Sequence, residues 1–108
     1  MFENYQGTFP PEVLAWCETT AKKLSAGLSP TWRRKGTWME TWNGSRRIAF
    51  APHDFGMSIY FQSPSAAELY LEIGGRLSTG KMTIRLRMND DIDFEKIRFV
   101  LMQYYHAG

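Results

Sequence analysis

The chain has 108 residues, of which 44% are hydrophobic and 22% are charged, and it carries a formal net charge of +2. This length and apolar content predict one compact domain with its own core, and they exclude both a two-domain protein and a disordered chain. A charge this close to zero does not require a polyanionic partner. The single cysteine, Cys17, excludes an internal disulfide and suits a reducing compartment.

Membrane association is not expected from the sequence. No stretch approaches the roughly 18 consecutive apolar residues of a membrane span, and residues 1–7 contain neither a basic leader nor an apolar run. We therefore expect a cytoplasmic protein.

The first predicted element is a helix over residues 10–26, which Thr8 is positioned to cap. Two prolines suit its first turn, where backbone amide groups are free. Its apolar positions recur at helical spacing: Leu14, Cys17, Ala21 and Leu24. This spacing indicates that Cys17 is a small hydrophobic residue of a buried helix face rather than a nucleophile.

A β-hairpin is predicted next, because Asn43-Gly44 is the sequence of a two-residue turn with positive φ at both positions. Its strands cover residues 36–42 and 45–51, and a third strand, residues 57–62, alternates apolar and polar side chains. A turn over residues 52–56 joins the second strand to the third.

The second half of the chain adds a short helix, a strand and a final helix. Ser63 or Ser65 can cap the short helix, and residues 82–88 alternate between an apolar and a basic face. Asp91 or Asp93 can cap the last helix. The predicted order is αβββαβα, which indicates an α+β two-layer sandwich with three helices on a mainly antiparallel four-stranded sheet.

Two parts of the chain resemble the YdhG-like family. Residues 80–85 and 91–97 are similar to its closing strand and helix, and residues 48–53 and 58–61 to its central strands. The resemblance extends over residues 28–105 and implies a single α+β domain over residues 1–108. Some members are described as intracellular iron chaperones akin in role to frataxin, so the resemblance also implies iron as an alternative ligand. It implies no established catalytic residues.

The hairpin predicts a candidate binding surface. A two-residue turn would pair Trp42 with Ser45, Glu40 with Arg47, Met39 with Ile48 and Trp38 with Ala49, and opposed residues share a face. One face is then apolar and packs on the helices. The other carries aromatic and basic residues, namely Trp38, Trp42, Arg47, Tyr60, Arg85 and Arg87.

Trp and Arg are enriched at binding hot spots, and Arg binds carboxylate or phosphate bidentately. The first hypothesis is therefore a non-catalytic binding domain without a cofactor, which takes a small anionic ligand or a protein partner on this face. Alternatively, the face is a solvated sheet in which the arginine stems cover the aromatic rings. A third possibility is that the N-terminal residues Phe2, Tyr5 and Phe9 cover it, or that a second copy of the chain does so in a homodimer.

Two further binding hypotheses depend on charged clusters. The acidic cluster Asp90, Asp91, Asp93 and Glu95 offers the oxygen ligands that hard cations prefer, although carboxylates at a helix start equally serve as caps. Single-stranded nucleic acid is the other candidate partner, through a basic run with an interleaved aromatic residue. That run comprises Trp32, Arg33, Arg34, Lys35, Arg46 and Arg47, without an RNP-type motif.

An enzyme is not expected. His53-Asp54 with Ser58 nearby lacks the motif of a nucleophile elbow, and a turn-capping Asp54 beside a surface His53 is the simpler interpretation.

Overall fold

A computed structural model describes residues 1–5, 7–28 and 30–107 of the chain. Within these residues it shows an α+β fold with three α-helices and one six-stranded antiparallel sheet. The helices are α1 (Pro11–Ser25), α2 (Ser65–Glu72) and α3 (Phe94–His106). The strands are β1 (Arg33–Lys35), β2 (Trp38–Asn43), β3 (Arg46–His53), β4 (Gly56–Phe61), β5 (Thr79–Gly80) and β6 (Thr83–Arg87), in the spatial order β1-β2-β3-β4-β6-β5. None of the helices among the described residues has both the length and the hydropathy to cross a membrane.

The two strands that the sequence did not predict are the edge strands. β1 consists of three exposed cationic residues and β5 of only two residues, so neither has room for an alternating apolar pattern. The prediction of four strands was therefore correct for the centre of the sheet and wrong at both edges. His53 and Gly56 belong to β3 and β4, so the predicted turn over residues 52–56 shrinks to Asp54-Phe55.

Helix capping was predicted correctly only at the last helix. The Asp93 carboxylate accepts a hydrogen bond from the Lys96 amide at 3.1 Å and caps α3. Pro10 and Pro64 are the N-cap residues of α1 and α2, and neither helix has a side-chain cap. The caps proposed from Thr8 and Ser65 were therefore wrong. Ser63 is not the N-cap residue, but its hydroxyl accepts a hydrogen bond from the Ser65 amide, the first of α2, at 3.3 Å.

The β2–β3 hairpin turns one residue later than predicted. Asn43 pairs with Arg46, so Gly44 and Ser45 form the turn, and Gly44 supplies positive φ (+60°) at the first central position, as a type II′ turn requires. Trp42 consequently pairs with Arg47, and Glu40 with Ala49. The predicted register is displaced by two residues, and because side chains alternate with period two, each keeps its predicted face.

The core lies between the helices and one face of the sheet. Aligned residues of the central strands are fully buried there, such as Phe50, Ile59 and Ile84, which oppose one another across β3, β4 and β6. The N-terminal residues Phe2 and Tyr5 are buried in this same core. The alternative in which the N-terminal segment covers the aromatic and basic face is therefore wrong.

Both edges of the sheet are obstructed. β1 exposes its row of positive charges, and β5 pairs with only two residues of β6, Thr83 and Ile84. Further along β6 the Arg87 amide, which points outward, donates to the Asp90 carboxylate at 2.8 Å. The outer backbone amide of Arg85 donates to Ser78 O, also at 2.8 Å. These outward amides of β6 thus have partners within the chain.

Candidate functional site: the open face of the sheet

The face of the sheet opposite the helices, called the open face below, is formed by side chains that the strand register aligns in rows. Arg33, Glu40, Ala49, Tyr60 and Thr83 oppose one another in one row, and Ala51, Ser58 and Arg85 in the next. The members of the open face used below are Arg33, Lys35, Trp38, Glu40, Trp42, Arg47, Ala49, Ala51, His53, Ser58, Tyr60, Thr83, Arg85 and Arg87. All six residues of the predicted binding surface lie on this face.

Charge is distributed unevenly between the open face and the rest of the chain. All thirteen Lys and Arg residues and all eleven acidic residues lie in the part of the chain that the structure describes; five of the former but only one of the latter belong to the open face. With a net charge of +2 for the whole chain, the open face carries four net positive charges and the remainder two net negative ones. A modest overall charge therefore conceals a strongly cationic surface.

The one acidic residue of the open face, Glu40, is only 3% exposed. The Trp38 indole N–H donates to its Oε1 at 2.9 Å, the Trp42 indole N–H donates to its Oε2, and Arg33 lies 4.0 Å away. Burial alone would raise the pKa of Glu40, but these hydrogen bonds together with the charges of Arg33 and Arg47 outweigh it and lower that pKa. An ionised Glu40 thus fixes the orientation of both tryptophans, a role that the sequence analysis missed.

A pocket of about 410 Å³ opens on this face. It arises because β3 and β4 place small side chains, Ala51 and Ser58, opposite each other between larger neighbours. Its volume falls in the range of small-molecule sites, roughly 300–1,000 Å³. The residues that line it are Thr37, Trp38, Arg47, Ala51, Pro52, His53, Ser58 and Tyr60.

Aromatic rings and a guanidinium group form part of the pocket wall. The ring centroids of Trp38 and Tyr60 lie 6.5 Å apart, and Tyr60 is 38% exposed. The Arg47 guanidinium carbon lies 5.6 Å from the Trp38 ring centroid, and its Nη2 donates to Phe61 O at 3.4 Å. Its Nε is buried without a hydrogen-bond partner. The wall therefore combines flat apolar surface with a positive charge.

His53 lines another part of the pocket, and this residue was not among the predicted binding residues. Burial first, and then the charge of Arg87, lower the pKa of His53, with a smaller contribution from Arg85 and an opposing one from Asp54. Its Nδ1 accepts a hydrogen bond from the Phe55 amide at 3.3 Å. Arg87 lies in the same row of the sheet as His53, with only Gly56 between them, so its positive charge is close to this end of the pocket.

Three of the predicted binding residues do not line the pocket. Trp42 is 41% exposed and lies on the other side of Glu40 from Trp38. Arg85 and Arg87 are exposed, and the Arg85 Nη1 lies 3.4 Å from the Ser78 Oγ, toward the β5 edge. The open face therefore holds a compact pocket with additional cationic and aromatic groups around it.

The basic run proposed for nucleic-acid binding is divided between the two faces. Trp32 stacks on Phe50 with ring centroids 4.9 Å apart, on the helix side of the sheet. The guanidinium groups of Arg34 and Arg46 also lie on that side, 4.6 Å from the Tyr5 ring and 4.9 Å from the Tyr104 ring. Only Arg33, Lys35 and Arg47 of this run belong to the open face. The run as predicted is not one continuous surface, because side chains alternate along a strand.

The acidic cluster proposed for metal binding is engaged in local contacts. Asp90 accepts from the Arg87 amide, Asp93 caps α3, and Glu95 pairs with Arg98 at 2.9 Å, while Asp91 is exposed. Among the residues that the structure describes, no group of three or more His, Cys, Asp or Glu side chains is arranged to hold a metal ion. Asp90 and Asp93 thus occupy positions that cap a turn and a helix.

Cys17 is buried in α1, where its thiol donates to Gly56 O at 3.3 Å. Burial raises its pKa to about 12. The thiolate, which is the reactive form, is therefore scarce at neutral pH.

The burial and raised pKa of Cys17 predict that it does not react with Ellman's reagent in the folded protein at pH 8. In a denaturant that unfolds the chain the thiol should react fully, with kinetics typical of an exposed cysteine, because its pKa returns to the ordinary range. The absorbance of released thionitrobenzoate measures both states. Rapid stoichiometric reaction without denaturant would contradict the burial of this side chain.

Comparison with protein-family models, with curated proteins and with solved structures finds no match for the chain.

Proposed function

We propose that this protein is a non-catalytic, cytoplasmic binding domain of YdhG-like type that takes up an anionic ligand on the open face. The observation that supports this most is the concentration of positive charge on that face, five cationic residues against one buried acid, in a chain of net charge +2. A cationic surface raises the local concentration of anions and speeds their association.

The composition of the open face also favours binding. Arg85 and Arg87 can each form paired hydrogen bonds to a carboxylate or a phosphate, and Trp42 and Tyr60 offer exposed aromatic surface on the same face. The pocket gives a small ligand a concave site on the face that carries these groups.

Self-association through the open face is less favourable on this distribution of charge. A symmetric dimer would bring two identical cationic surfaces together, and like charges that face each other across an interface cost several kcal/mol. A partner of opposite charge is therefore preferred over a second copy.

Anion binding is tested by isothermal titration calorimetry with citrate and pyrophosphate at low ionic strength. We expect millimolar or tighter affinity for the unmodified protein, and a weakening of about tenfold when Arg85 and Arg87 are both changed to Gln, since each loses a charge-assisted contact. This loss should shrink as salt is added, because exposed charges are screened within about 10 Å at 0.1 M salt.

The matched control changes two exposed cations outside the open face, Lys22→Gln with Arg76→Gln, which removes the same net charge. Equal weakening by both double variants would show that only net charge matters. That result, or an absence of anion binding to the unmodified protein, would contradict the proposal.

A further inference from the structure

We infer that the pocket on the open face accepts a small planar aromatic anion, a molecule in which a carboxylate or similar acid group is attached to an aromatic ring. This inference rests on the function proposed above and adds the chemical class of the ligand. Its basis is the combination of aromatic wall, small floor and cationic surroundings at one place on the sheet.

The shape of the pocket suits a flat ring. Ala51 and Ser58 form a low floor, and the rings of Trp38 and Tyr60 rise beside it with centroids 6.5 Å apart and an interplanar angle of 44°. A ring laid on that floor would meet Tyr60 and Trp38 in the tilted or offset geometry that aromatic pairs prefer. A saturated ring of the same size has no such electrostatic preference.

The aromatic wall is held in place before any ligand arrives. The ionised carboxylate of Glu40 fixes Trp38 through its indole N–H at 2.9 Å, and Arg47 covers one side of the same ring at 5.6 Å. A preorganised wall reduces the loss of side-chain entropy on binding.

The acid group of the ligand is placed at the His53 end of the pocket. Arg47 is already engaged with Trp38 and the Phe61 carbonyl. The exposed Arg87 lies in one row with His53, across Gly56, and the exposed Arg85 opposes Ser58 of the pocket floor. Asp54, next to His53 in the sequence, is exposed and carries one negative charge, whereas Arg47, Arg85 and Arg87 carry three positive charges around the pocket. The field at this end is therefore positive and attracts a carboxylate.

The experiment compares three probes with the same carbon skeleton by calorimetry. They are 2-naphthoate, its saturated analogue decahydro-2-naphthoate, and the neutral 2-naphthamide. We expect 2-naphthoate to bind about fivefold or more tightly than either of the others, because the saturated acid lacks the flat aromatic ring and the amide lacks the negative charge.

Two pairs of variants assign each feature to the pocket. Tyr60→Leu should weaken 2-naphthoate binding about fivefold by loss of the aromatic contact, whereas Phe55→Leu, at an aromatic residue that is 70% exposed outside the pocket, should not. Arg87→Gln should weaken 2-naphthoate but leave 2-naphthamide unchanged, and Arg76→Gln should affect neither.

The possible failures are distinguishable. If the saturated acid binds as tightly as 2-naphthoate and both respond to Arg87→Gln, the preference for an aromatic ligand is wrong while anion binding on the open face stands. If no probe responds to Arg87→Gln, and citrate and pyrophosphate binding is unaffected in the Arg85 and Arg87 double variant, both proposals are wrong. Binding of a short single-stranded oligonucleotide far more tightly than 2-naphthoate would overturn the assignment to a small molecule.

Discussion

Replacing Ile59 by Ala is expected to lower the free energy of unfolding by about 2 to 5 kcal/mol, the range for truncating a large buried aliphatic side chain. Ile59 is fully buried on β4, where it opposes Phe50 on one side and Ile84 on the other. The smaller side chain loses these contacts and leaves a cavity that the sheet and helices cannot fill. Urea denaturation followed by circular dichroism measures the change.

The neighbouring residue provides the control, because its side chain points to the other face. Tyr60 is 38% exposed, and its replacement by Leu should cost about 1 kcal/mol or less, since little surface is uncovered. If Tyr60→Leu destabilised the domain as much as Ile59→Ala, the face assigned as open would be core, and the binding surface would not exist.

Replacing Gly56 by Ala is expected to destabilise the domain by about 3 kcal/mol or more, the upper end of the range for added bulk in a packed interior. A Cβ at this position would lie 2.2 Å from the Leu86 carbonyl oxygen and 2.9 Å from the Arg87 Cα. Both are backbone atoms of β6, so relief requires β4 and β6 to move apart, which breaks their pairing. Thermal and urea unfolding of the variant measure the effect.

Gly36→Ala separates this clash from the general cost of adding a methyl group to a glycine. Gly36 has φ of +59°, and a Cβ there would have no atom within 4 Å. Its cost is therefore only that of a left-handed backbone, about 1 kcal/mol. A Gly56→Ala variant no less stable than Gly36→Ala would contradict the close approach of β4 to β6.

The face of each central strand could be predicted because it follows from alternation alone. Met57, Ile59 and Phe61 are apolar at every second position, and this pattern places them on the helix side whatever the pairing. The same property explains why the error in the position of the hairpin turn did not matter. The register shifted by two residues, so Trp38 and Trp42 stayed on the open face.

The candidate site could be predicted only as a list of residues, not as a pocket. The pocket is concave because Ala51 and Ser58 are adjacent across β3 and β4. This pairing is set by the Asp54-Phe55 turn, which was predicted to be longer. The role of Glu40 in orienting both tryptophans could not be predicted, because a glutamate at alternate positions with two tryptophans on a strand has the pattern of a solvated residue. Only the three-dimensional contacts show that both indole groups converge on it.

The basic run shows the opposite limitation. Consecutive cations suggest one surface when they are written in a line, yet strand alternation sends Arg33 and Arg34 to opposite faces. Arg34 then lies over Tyr5, a contact between distant parts of the chain that no local pattern indicates. When a basic segment forms a strand, counting its cations therefore overestimates the number that share one surface.

The obstructed edges of the sheet affect how readily the domain aggregates at high protein concentration. An open sheet with unpaired edge amides is a template on which further strands assemble, and this is a common start of amyloid-like aggregation. Here the three cations of β1 repel an approaching copy, and Asp90 occupies the outward amide of Arg87 on the other side. Charge at the β1 edge and paired backbone amides at the β6 edge therefore disfavour the growth of the sheet into fibrils, and the aromatic surface can stay exposed to solvent for a ligand.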